Sequence, residues 1–250
     1  MPGTVYLVGA GPGAPDLLTV RAARLLERAQ IVFHDALVSP DTLALAAQAR
    51  KVAVGKRCSR ISIDQRFINR SLIEAANRYE VVVRLKGGDP MLFGRAQEEI
   101  DALSAAGIRC EVVPGVTAAL AAASQLGVSL TRRGLSRSVV FVTPRIGPEQ
   151  CDSSWVQAVA GADSAVLYMG AGQARATVAA LSAAGMPGDL PVAVVESASL
   201  ESSREFRTTL SGLAQAEQWE IQGPAVILLG QVFAATQASS ESAPLAAAAG

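Results

Sequence analysis

Five short apolar runs recur through the first part of the chain: Val5–Val8, Ile31–Phe33, Val52–Val54, Val81–Leu85 and Cys110–Val113. Each is too short for a buried helix, and the stretches between them are long enough to hold one. This spacing predicts βα alternation, and with it a mostly parallel sheet covered by helices on both faces. Local signals agree. Thr19 precedes Val20–Leu26 as an N-cap, and Ser39 followed by Pro40 marks a second helix start. Ile68, Leu72, Ala75 and Tyr79 repeat at helical spacing behind a capping box, Ser62-x-x-Gln65. Gly107 closes a helix that begins near Phe93.

The polar segment TRRGLSRS, 131–138, interrupts this alternation. Further apolar runs follow at Val139–Val142, Ala165–Tyr168, Val192–Val195 and Ala225–Leu229, with a helix expected at 173–184. Phe206–Leu210 is a weaker strand, and its short connection to the preceding run predicts antiparallel pairing and a mixed sheet. The expected organisation is an N-terminal α/β domain at 1–131, a C-terminal α/β domain at 132–235 and a disordered, alanine-rich tail at 236–250.

Lysine plus arginine equals aspartate plus glutamate at 22 each, which argues against a nucleic-acid-binding surface. Three scattered cysteines, with no CxxC pair, fit a reduced cytoplasm and predict no metal site. No apolar stretch is long enough to predict a membrane span. His34 is the single histidine, so histidine-centred catalysis is disfavoured.

Three loops after strands place glycine beside proline: GAGPGAPD at 9–16, LKGGDPMLFGR at 85–95 and PGVTAA at 114–119. Ligands of open α/β sheets sit beyond the carboxyl ends of strands, so three such loops point to one shared cleft. Gly9, Gly11 and Ala14 nearly match the dinucleotide fingerprint, with Asp35 at the distance of its ribose ligand. A pyrophosphate site needs the helix to start at the loop. Here Pro12 and Pro15 remove amide donors and the helix waits until Thr19.

Taken together, VGAGPGAPDLLTVRA, HDALV at 34–38, VGKR at 54–57, VVRLKGGDPMLFGR at 82–95, EVVPGVTAA at 111–119, SLTRRG at 129–134, YMG at 168–170 and PVAVVES at 191–197 resemble the tetrapyrrole methylases, the class III S-adenosylmethionine-dependent methyltransferases. Within that family, DALV, GKR and LKGGDPxxFGR are most similar to the members that C-methylate uroporphyrinogen III at carbons 2 and 7, giving precorrin-2. The resemblance implies two α/β domains with a cleft between them, a homodimer, and S-adenosyl-L-methionine bound in the cleft and released as S-adenosyl-L-homocysteine. It carries cofactor contacts to Pro12, Gly87, Gly88, Asp89, Leu92, Thr117, Ala118, Met169 and Ala198, the last standing where the family has glycine.

The resemblance also makes Asp35 the proton acceptor and Lys56 the proton donor, with Glu98 as the alternative base. Arg95 and Arg133 match positions that hold substrate carboxylates, a task suited to forked guanidinium groups, and Arg132 extends them. Arg132 replaces the histidine of the usual LTHR, GRAQEE replaces GRGGEE, and VTPR at 142–145 replaces VTGH. These departures fall on the expected substrate side. They leave open another precorrin C-methyltransferase, while a non-catalytic S-adenosylmethionine-binding relative and a nicotinamide or flavin oxidoreductase are the readings from other classes.

Overall fold

The computed structural model describes residues 2–55, 65–144 and 155–234. The first half is built from β1 (Thr4–Gly9), α1 (Val20–Arg28), β2 (Ile31–His34), α2 (Pro40–Ala44), β3 (Arg50–Ala53), α3 (Gln65–Ala76), β4 (Val81–Lys86), α4 (Ala96–Ala105) and β5 (Cys110–Val113). The strands form one parallel sheet in the order β3-β2-β4-β1-β5. Side chains alternate across it. Val5, Leu7, Ile31, Phe33 and Val82 pack against α3 and α4, whereas Val8, Val32, Val83 and Leu85 pack against α1 and α2. Burial on both faces is why these strands read as continuous apolar runs.

The helix ends follow local chemistry. Thr19 accepts a hydrogen bond from the Ala22 N–H at 3.2 Å, and Ser39 accepts one from Thr42 at 3.1 Å. Buried Ala22, Leu25 and Leu26 share one face of α1. Ile68, Leu72 and Ala75 do the same for α3, and Ser62 of its expected capping box lies outside the described residues. Helix α4 starts at Ala96 rather than near Phe93, because Phe93 and Arg95 are left-handed, with φ of 52° and 53°. Gly107, with φ of 67°, ends it, and the Ile108 N–H returns to the Leu103 carbonyl at 2.9 Å. Strand β3 begins two residues before the expected Val52, because the edge residues Arg50 and Lys51 pair through backbone despite polar side chains.

The chain then crosses over. Helix α5 (Ala118–Gln125) follows β5 directly, yet packs on the second sheet with Val166, Val195, Val226 and Leu228. That sheet comprises β6 (Val139–Val142), β7 (Ser164–Tyr168), β8 (Pro191–Glu196), β9 (Arg204–Thr209) and β10 (Ala225–Gly230). Helices α6 (Trp155–Ala160) and α7 (Ala174–Ala183) lie between β6 and β7 and between β7 and β8 in the chain. Its order is β6-β7-β10-β8-β9, parallel at β6-β7 and antiparallel elsewhere, so the expected antiparallel β8-β9 pair is found. The face opposite α5, with Leu167, Val194, Ile227 and Leu229, is covered by α6, α7 and the 3-10 segment Gly212–Trp219. The molecule is therefore a two-sheet α/β protein, one sheet parallel and the other mixed. Among the described residues no helix is long and apolar enough to cross a membrane.

Replacing Thr19 by Ala removes one capping bond and is expected to lower stability by about 1 kcal/mol. A urea titration should show a lower midpoint at unchanged slope, and Thr19→Ser should restore it.

Candidate active site

Strand β1 lies between β4 and β5, so the three glycine-rich loops leave the sheet side by side. The Gly88 N–H donates to the Gly11 carbonyl at 2.7 Å, and Gly11 returns the bond at 3.2 Å. Asp89 joins the third loop, its Oδ2 accepting from the Gly115 N–H at 2.9 Å while Oδ1 accepts from Met91 at 2.8 Å. The backbones are in contact: a side-chain carbon on Gly115 would lie 2.3 Å from the Gly88 carbonyl oxygen, and one on Gly9 would lie 2.6 Å from the Gly115 Cα. No residue larger than glycine fits either place without moving a neighbouring loop.

Above these loops a cavity of about 380 Å³ opens between the two sheets. Pro12, Gly87, Gly88, Asp89, Leu92, Thr117, Ala118, Met169 and Ala198, the nine positions expected to touch a cofactor, all line it. Gly11, Leu37, Phe93, Tyr168, Val195 and Pro224–Val226 complete the lining and were not assigned cofactor contacts from the sequence. Tyr168 stands in the far wall. Its hydroxyl lies 2.6 Å from Thr117 Oγ1 and accepts from the Ala119 N–H at 3.1 Å, and its ring centroid lies 5.2 Å from that of Phe93. Burial pushes the Tyr168 phenol up from its ordinary value, against the two hydrogen bonds, so it stays neutral.

Phe93, Met169 and the nearby Ser197 all hold left-handed backbone, with φ between 52° and 57°. Strained non-glycine residues of this kind gather where function over-determines the backbone. Among the described residues that line the cavity there is neither lysine nor arginine, and Asp89 is the one carboxylate. Such a lining suits a ligand without phosphate, held by backbone groups and apolar walls. It fits a sulfonium-bearing nucleoside.

A second cluster lies under the cavity, where α4 covers the end of β4. Asp35, after β2, accepts a hydrogen bond from Arg84 Nη2 at 2.5 Å. Arg84 Nε donates to Glu99 Oε1 at 3.0 Å, and Lys86 Nζ reaches both Glu99 oxygens at 3.1 Å. Arg84, Lys86 and Glu99 are all buried, and none was expected to matter from the sequence. Burial, and then the neighbouring Arg84 charge, hold the Lys86 ammonium below its ordinary value, opposed by Glu99 and Asp35. Gly55 of the VGKR motif lies tight against this corner, for a Cβ there would fall 2.6 Å from the Ala36 nitrogen.

The other expected residues are placed apart from the cavity lining. Arg95 and Glu98 form an exposed bidentate pair at 2.7 Å for both bonds, and the Arg95 hydrogen bond is the main cause holding the Glu98 carboxyl below its ordinary value. Arg132 and Arg133 are exposed in a tight turn, closed by the Arg132 N–H donating to Ser136 at 2.9 Å. Lys56 and Arg145 lie outside the described residues. Among those described, no group of His, Cys, Asp and Glu could hold a metal ion.

These features, two α/β sheets facing each other across a cleft floored by three glycine-rich loops, define a class, and the family model for tetrapyrrole (corrin/porphyrin) methylases matches residues 4–214. The chain belongs to that family. It is 43% identical over 235 residues to a uroporphyrinogen-III C-methyltransferase of Pseudomonas aeruginosa, covering 93% of this chain and 95% of that one. It is also 43% identical over 232 residues, 92% of its length, to a siroheme synthase of Hahella chejuensis, and spans about half (50%) of that longer relative. The crystal structure of uroporphyrin-III C-methyltransferase from Thermus thermophilus, complexed with S-adenyl homocysteine, is similar with a TM-score of 0.81 and 40% identity, covering 92% of this chain and 98% of that one.

Glu196, at the end of β8, anchors the loop that brings Pro224–Val226 into the cavity wall. It accepts from the Gln222 and Gly223 N–H groups and from Arg204 Nε, at 2.8, 2.5 and 2.7 Å. Burial alone would raise its carboxyl, but these bonds together with the Arg204 charge hold it below the ordinary value of 4.5. A carboxylate with a depressed folded-state pKa adds stability above the unfolded value and loses it as pH falls through the folded one. Stability should therefore drop as pH falls below about 4.5. In Glu196→Gln that acid limb should be shallower, as read from thermal melts across pH 3 to 7.

Proposed function

We propose that this protein is an S-adenosylmethionine-dependent C-methyltransferase acting on uroporphyrinogen III at carbons 2 and 7, yielding precorrin-2 and S-adenosylhomocysteine. One observation carries the reading: the cavity between the sheets is lined by all nine residues that family motifs assign to the cofactor, with no lysine or arginine among its described lining residues. When bound, S-adenosylmethionine would supply an electrophilic methyl to an electron-rich pyrrole carbon, leaving a cationic ring system that must lose a proton. The protein's own contribution is positional and electrostatic. Backbone groups of Gly87, Gly88, Thr117 and Ala118, with Pro12, Leu92, Met169 and Ala198 as apolar walls, hold the nucleoside and shed water from it.

Asp35 serves as the proton acceptor. It sits two residues before Leu37, which lines the cavity, whereas both Glu98 oxygens are taken by Arg95. Lys56 keeps the donor role that its GKR motif assigns. Arg95, Arg133 and Arg132 bind the carboxylates of the tetrapyrrole around the cleft mouth. The reading includes a cytoplasmic homodimer that works without nucleic acid, membrane or metal, and a division into units at 131/132.

Anaerobic incubation with uroporphyrinogen III and S-adenosylmethionine should give a product heavier by two methyl groups. S-adenosylhomocysteine should raise the melting temperature, and NAD or FAD should not. No mass gain, or stabilisation by NAD instead, would sink the reading. In a separate test, Arg95→Ala should keep the wild-type melting temperature yet lose about 10- to 100-fold in kcat/KM, the worth of one charged hydrogen-bonding partner. Unchanged kinetics would remove Arg95 from the substrate site.

A further inference from the structure

Arg84 and Lys86 are two residues apart on β4, so both side chains leave the same face of the sheet, toward α4. Two cations side by side in a dry interior repel, and Glu99, fully buried on α4, answers both of them. With Glu99 balancing one positive charge, Asp35 balances the other. The Arg84 guanidinium is held at three nitrogens: Nε by Glu99, Nη1 by the Leu85 carbonyl at 3.2 Å, and Nη2 by Asp35 Oδ1. Gln65 Nε2, on α3, closes the cluster by donating to Glu99 at 3.2 Å.

This is a costly way to stabilise a fold, because apolar residues of similar volume usually do as well or better than buried ion pairs. What the cluster does provide is direction. A planar guanidinium fixed at three points presents one N–H fork in one place. Three elements, β2, β4 and α4, are thereby tied to the rotation of a single carboxylate. Of the four charged groups that carboxylate is the one with solvent access, its side chain 31% exposed against 4% or less for Arg84, Lys86 and Glu99.

We propose that Arg84, locked by Glu99, is a positioning residue for Asp35: it sets the orientation in which the Asp35 carboxylate takes the ring proton after methyl transfer. The inference rests on the reading of Asp35 given above. In the step, a C–H bond at a bridging carbon beside the methylated ring breaks, its electron pair neutralises the cationic ring system, the proton passes to an Asp35 oxygen and then to solvent, and Arg84 keeps its charge throughout.

Arg84→Met is the informative variant, since it leaves the Lys86–Glu99 pair balanced inside the fold. Arg84→Lys is the second, should the first fold poorly. Either should bind S-adenosylhomocysteine as the wild type does and keep KM for both substrates within about twofold, while kcat falls by about 10- to 100-fold. Asp35→Asn supplies the discriminating comparison. If Arg84 acts through Asp35, adding the Arg84 substitution to Asp35→Asn should slow the enzyme no further.

Losses that multiply in the double variant, a matching loss of S-adenosylhomocysteine affinity, or an unchanged kcat would each overturn the assignment. An inactive wild-type protein would instead overturn the methyltransferase reading, and this inference with it. An active wild type with a fully active Arg84→Met would overturn the inference alone.

Discussion

The contact that everything else depends on is between backbones. Gly9 and Gly115 close on each other and on the Gly88 carbonyl, so that three different loops touch where neither Gly9 nor Gly115 has room for a side chain. The parallel order of β4, β1 and β5 brings the loops together, and the missing Cβ atoms let them touch. Asp89 then ties the second loop to the third through the Gly115 amide. Carbonyls and amides of the loops are thus presented on a rigid floor, not on mobile turns, and a small polar ligand can be held there without any charged side chain.

Charge in this protein is sorted by depth. The described lining of the cavity has no cation, while two buried cations lie beneath it and arginines stand exposed outside it. A sulfonium bound in the cavity would meet backbone oxygens and aromatic faces rather than competing ammonium groups. The cations below are consumed by Glu99 and Asp35. Those outside are the arginines proposed above to hold a polyanionic substrate. On that proposal a cationic donor and an anionic acceptor meet in a single cleft.

Much of this was readable in the amino-acid sequence because the strands are buried on both faces. All ten expected strands exist, and errors fall where burial fails, as at the edge strand β3. Helix α5 was missed, since ALAAASQ has no polar stripe to give it a period. The near wall of the cavity came from loops with visible glycine patterns, whereas Tyr168, Val195 and Pro224–Val226 come from strands whose adjacency depends on the order β7-β10-β8. The buried cluster left a trace that could have been followed: Arg84 and Lys86 occupy alternate positions of an otherwise apolar strand. Choosing Glu99 over Glu98 as their partner needed the helix phase, because adjacent residues on a helix point about 100° apart.

The crossover at 114–117 joins the binding site to the seam between the sheets. Strand β5 belongs to the first sheet and α5 lies on the second, so the short link between them passes along the cleft. Thr117 ends that link, lines the cavity and is bonded to Tyr168, whose hydroxyl also accepts from the Ala119 N–H and so holds the start of α5 on the second sheet. The chain passes from one half to the other through residues that line the cavity, so a substitution that reshapes this link reshapes the site as well.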